Sequence, residues 1–113
     1  LNPLVPETCL ITLALGAYLD GDFAAAVNGF TRSSETYDEG LACLAAALWR
    51  LGQQDTARSV MQRFMLAKRE KMTDYPGTDP ARWRSCLLRV LPITDQAILD
   101  RLFDDFRKAG LPV

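Results

Sequence analysis

The chain has no histidine. That removes Ser-His-Asp and Cys-His catalytic sets, His-ligated zinc and the usual proton shuttle. Cysteine is scarce: Cys9, Cys43 and Cys86 are far apart, with no CxxC. The odd number leaves at least one thiol unpaired, and no thiolate-activating partner is visible. Free, buried thiols in a reducing, cytoplasmic setting are the expectation. There is no glycine-rich phosphate loop, since Gly16, Gly21 and Gly29 are scattered over helical segments and a turn. The apolar run from Cys9 to Leu19 stops at Asp20, too short to span a bilayer, and no signal peptide is visible. Thirteen bases against fourteen acids leave a net charge of −1, with no general pull toward nucleic acid or anionic lipid.

What remains is a chain of 113 residues, 49% hydrophobic and 24% charged, enough for one domain with a real core. Its charge is unevenly spread. Residues 1–40 hold six acids and only Arg32 as a base, whereas residues 41–89 hold nine bases and four acids. The ordinary reading is solvated helix faces, with a basic middle as the alternative. The first residues are Leu1-Asn2-Pro3 rather than Met, as expected of a piece of a longer protein.

Spacings of three and four predict six helices and no strand. Cys9, Leu10, Leu13, Ala14, Ala17 and Tyr18 make the first stripe, ending near Asp20-Gly21. Asp22 caps a second helix carrying Phe23, Ala26, Val27 and Phe30. A third covers about Glu39 to Leu51, is broken at Gly52, and leads into a fourth from about Asp55 to Met72. After Pro76-Gly77, Asp79 and Pro80 start a fifth with Trp83, Cys86, Leu87, Val90 and Leu91. Pro92 stops it, and Thr94 is the expected N-cap of a sixth bearing Ile98, Leu99, Leu102, Phe103, Phe106 and Ala109.

Gly21 and Gly52 are 31 positions apart, each between two helices and each followed five residues later by alanine, Ala26 or Ala57. Glycine allows the tight turn, and alanine lets the second helix approach the first. This pattern resembles the tetratricopeptide repeat, whose usual period is a few residues longer. The resemblance implies an all-α fold, a right-handed α-solenoid of three helical hairpins. Residues 1–5 would end a preceding repeat, 6–35 and 38–72 would be two repeats, and 79–110 a C-terminal capping hairpin. Leu13, Ala14 and Ala17 would face Ala26 and Phe30; Ala45 and Leu48 would face Ala57 and Met61. The first repeat is short, both lack the usual tryptophan near the start, and Met61 stands where an aromatic is usual.

The tail, Leu91-Pro92-Ile93-Thr94-Asp95 and then Phe106-Arg107-Lys108-Ala109-Gly110-Leu111-Pro112, is similar to the C-terminal end of bacterial class III adenylate/guanylate cyclases that carry tetratricopeptide repeats. The same short motif occurs in related repeat proteins without a cyclase. The cyclase likeness implies a catalytic domain upstream of Leu1, with none of its metal-binding aspartates in this chain.

No catalytic set, cofactor or metal site is expected here. Asp100, Asp104 and Asp105 suggest a cation site, but Asp100 and Asp104 share a helix face and exposed acids on a helix are ordinarily just solvated; Lys68-Arg69-Glu70-Lys71 lacks an aromatic platform for nucleic acid. In tetratricopeptide proteins the first helix of each pair lines a concave groove. That implies Thr8, Ile11, Leu15, Tyr18 and Leu19 from the first repeat, and Glu39, Ala42, Ala46, Trp49 and Arg50 from the second, with Arg82 and Arg84 opening the third hairpin. Aromatic and arginine side chains are favoured at binding hot spots, which singles out Trp49, Arg50 and Tyr18. The competing reading packs Trp49 and Tyr18 into the core, as is expected of Trp83. The functional expectation is a non-catalytic protein–protein interaction or regulatory module with a protein or peptide in the groove. The alternatives are a structural cap, self-association through an uncovered solenoid end beside Leu10 and Leu13, and, least favoured, nucleic-acid binding.

Overall fold

The computed structural model describes residues 7–35, 38–71, 75–89, 91 and 95–113, with side chains described from residue 11 onward. Among these residues there are six helices and no strand, so the fold is all-α. They are α1 (Glu7–Leu19), α2 (Phe23–Ser33), α3 (Glu39–Arg50), α4 (Gln54–Lys71), α5 (Pro80–Leu88) and α6 (Gln96–Lys108). The Leu1–Pro3 segment, the side chains of Thr8, Cys9 and Leu10, and Met72, Val90, Pro92 and Thr94 lie outside the described residues.

The two glycine hinges are built alike. Gly21 and Gly52 have φ of 85° and 87°, the left-handed region that other residues adopt only with strain. At each, the following amide reaches back to the third-last helical carbonyl: Asp22 to Ala17 at 2.9 Å, Gln53 to Leu48 at 3.0 Å. The glycine amide itself bonds Tyr18 or Trp49. This closure satisfies the orphan carbonyls of α1 and α3 and turns the chain into the next helix. Gly110 ends α6 in the same way, with Leu111 bonded to Phe106.

The N-termini of α2, α5 and α6 are capped by carboxylates. Asp22 accepts from Ala25, and Asp79 accepts from Ala81 and Arg82 with Pro80 in the first turn. The cap of α6 is Asp95, not Thr94: its Oδ1 accepts from Ala97 and Ile98. A carboxylate there meets two free amides and the positive end of the helix dipole together, a stronger interaction than a hydroxyl offers.

Pairs α1–α2 and α3–α4 pack closely, and α2 packs on α3. Ala26 and Ala57 are fully buried, as are Phe30, Met61 and Phe64. α3 is buried from Glu39 to Leu48, which explains its run of alanines: it has neighbours on all sides. Leu13 departs from the expected core set. It is 67% exposed, because α1 is apolar around its whole circumference and only one side of it is covered.

The last two helices are less of a hairpin than the pattern predicts. α6 packs chiefly on α3, whereas α5 turns Trp83 onto Phe64 of α4, ring centroids 5.7 Å apart. Trp83 is fully buried, and its indole N–H donates to the Gly77 carbonyl at 2.8 Å. Arg84 ties α5 to α6, lying 4.8 Å from the Phe103 ring centroid.

Candidate functional site

The residues expected to line a groove lie on α1 and α3. Ile11, Leu15 and Tyr18 are buried, as are Ala42 and Ala46; Leu19 and Trp49 are half-buried and Arg50 lies at the edge. Arg82 is exposed at the start of α5, its amide donating to Asp79. The Thr8 side chain is outside the described residues. Two of these residues meet on a third that the sequence did not single out. The Tyr18 hydroxyl donates to Asp105 Oδ2 of α6, and Arg50 Nε reaches the same oxygen at 2.9 Å. Asp105 is therefore a joint between α1, α3 and α6.

Asp105 is wholly buried, and its Oδ1 has no hydrogen-bond partner among the described residues. Burial pushes its carboxyl up to about 6, against the opposing pull of the Lys108 ammonium. Asp100 and Asp104 do behave as solvated acids. Asp104 lies 3.0 Å from Lys108 and 3.3 Å from Arg107, while Asp100 accepts from Gln96. What distinguishes Asp105 is its place in the apolar line: it follows Leu102 by three and precedes Ala109 by four. That spacing was the available signal.

Glu39, a groove candidate, is nearly buried at the start of α3. Lys68 of α4 lies 2.5 Å from its Oε2 as a close ion pair rather than an aligned hydrogen bond. Next to it, Lys71 bonds Asp38 at 2.8 Å. These two bridges clamp the end of α4 to the beginning of α3 and use up two of the basic charges on α4.

Trp49 sits at the rim of the α3–α4 pair. Its ring lies 5.2 Å from the guanidinium carbon of Arg58, which is itself held 3.3 Å from Asp55. Farther along α4, Gln62, Met65, Leu66 and Arg69 share one face and line a shallow open pocket completed by Tyr75. Tyr75 stands edge-on to Trp83 at 5.4 Å, so one wall of this pocket is fixed by the core.

Burial, with the Glu39 charge adding to it, raises the Cys43 thiol to about 12, so it is held protonated and inert at neutral pH. Cys43 and Cys86 are unpaired thiols; Cys9 is outside the described side chains. Among the described residues no cluster of potential metal ligands forms, and no helix is long and apolar enough to cross a membrane. Compared with protein-family profiles, curated proteins and solved structures, the chain matches none.

Proposed function

We propose that the chain is a non-catalytic protein-interaction module of tetratricopeptide-like build. We place it as the C-terminal region of a larger cytoplasmic signalling protein, such as a bacterial adenylate cyclase whose catalytic domain lies upstream. The repeat reading is supported by two hinges of the same hydrogen-bond pattern, 31 positions apart, each followed by a fully buried alanine. The observation that carries the binding reading is Trp49, a large aromatic left half-accessible at the rim with Arg58 over its ring and Arg50 beside it. An aromatic with adjacent arginine is the composition that dominates interface energetics.

Arg50 is unsuited to a binding test, since it also holds Asp105. The test is Trp49→Ala with Arg58→Ala in the parent protein. The expected outcome is at least tenfold weaker binding of the partner that the wild type captures, with helicity unchanged by circular dichroism. Unchanged affinity would remove Trp49 from the interface.

A second reading makes the last two helices a structural cap. It is favoured by α6, which packs on α3 and ties both α1 and α3 through Asp105.

A further inference from the structure

We propose that the chain binds a second copy of itself head to tail, the outward face of α1 in one copy seating in the pocket on α4 of the next. Leu13 on α1 is 67% exposed and Leu66 on α4 57%, the two most exposed large apolar side chains among the described residues. Each belongs to a line of helical spacing. On α1 the line is Leu13, Gly16, Ala17 and Asp20; on α4 it is Gln62, Met65, Leu66 and Arg69, walled by Tyr75. Both lines run seven positions, about 10 Å. Methionine in the acceptor lets the pocket mould itself to an incoming leucine.

The charges fit one direction. On α4, Arg58, Lys68 and Lys71 each have a carboxylate within the molecule, but Arg63 and Arg69 have none among the described residues. Asp20, exposed at the end of α1, likewise has no cation. The acidic first third and basic middle of the chain would steer copies into this order.

Two features of α1 without an internal reason are explained by such a contact. A Cβ on Gly16 would meet nothing within 4 Å, so the fold does not need glycine there, although glycine weakens a helix by roughly 0.5–1 kcal/mol. A helix arriving from outside does need the space. Asp20 lies at the negative end of the α1 dipole, where a cation is favoured; an arginine across the contact offsets that placement. The two faces differ, so the association is heterologous and forms open chains rather than a closed dimer. It uses neither Trp49 nor Arg58, and stands or falls apart from the partner-binding reading.

Sedimentation velocity on the full chain tests it. The weight-average mass should rise with concentration from the micromolar to the millimolar range, and fall as salt is added. Leu13→Glu and Leu66→Glu, both at exposed positions, should each stay monomeric with unchanged circular dichroism. Mixed in equal amounts they should form a one-to-one dimer and stop, because each keeps the face the other has lost. Asp20→Lys and Arg69→Glu should each weaken association about tenfold, and the double variant should regain it. A concentration-independent monomer mass, association surviving in both glutamate variants, or a mixture that stays monomeric would overturn the proposal.

Discussion

Asp105 is the residue whose surroundings suit it least, and its behaviour follows from that. The folded chain holds the Asp105 proton more tightly than the unfolded chain, whose value is near 3.8 against about 6 when folded. The native state therefore binds more protons between these values. Stability from this group is fully present below pH 3.8 and is lost as pH rises through about 6. The loss is on the order of 3 kcal/mol. Asp105→Asn carries no such proton. The difference in unfolding free energy, wild type minus variant, should fall across this window when denaturant midpoints are followed against pH. A difference that rises instead would mean that the Arg50 charge outweighs burial. Arg50→Ala should cost about 2–4 kcal/mol at neutral pH, below the full range for a buried pair because the Arg50 side chain is 33% exposed. The cost should shrink at pH 4, where Asp105 is protonated. At this scale the sequence was half legible. Tyr18 and Arg50 stood out, but as groove residues. Asp105 was passed over as one of three acids, although its spacing from Leu102 and Ala109 places it in the apolar line.

Among the elements, the hinges were legible because their chemistry is local. A glycine at the end of an apolar period, an aspartate or a small polar run after it, and an alanine five positions on specify a helix end and a close return within a few residues. Gly40 was not legible. A Cβ there would lie 2.7 Å from the Ser34 nitrogen and 2.8 Å from its Cα, so the end of α2 rests on the backbone of α3. Nothing in the local pattern distinguishes that glycine, because the contact depends on where α2 lies. Gly40→Ala should therefore destabilise the chain by about 1–3 kcal/mol, since backbone rather than a flexible side chain must shift. Gly16→Ala is the control in the opposite direction. Its helix is regular and the added methyl meets nothing, so it should stabilise by roughly 0.5–1 kcal/mol. Chemical denaturation of the two variants compares them directly, and equal effects would mean that α2 and α3 separate more readily than their contact indicates. Leu13 was misassigned for a related reason. In a helix apolar on every side, periodicity does not say which side is covered.

For the whole molecule, stacked helix pairs alone would couple only to their neighbours, and the first pair could open without the last. Here α6 returns to both α1 and α3 through Asp105, linking residues 87 and 55 positions apart in sequence. Its Leu102, Phe103 and Phe106 are fully buried. At about 1.5–3 kcal/mol for each large apolar side chain, their burial is comparable with the whole stability expected of a domain this size. The radius of gyration, 13.1 Å, is that of a chain folded on one core. The molecule should therefore unfold in one step rather than one helix pair at a time. Two tryptophans make this measurable. Trp49 reports on the α3–α4 rim, and Trp83, buried between α5 and α4, reports on the C-terminal part. In Trp83→Phe only Trp49 emits, and in Trp49→Phe only Trp83. Within each variant, the fluorescence midpoint and slope in urea should coincide with those of far-ultraviolet circular dichroism. A Trp83 signal lost at lower denaturant than the helicity would show α5 leaving α4 first and would overturn one-step unfolding. The Asp105 joint would then hold α6 on α1 and α3 without α5 depending on it.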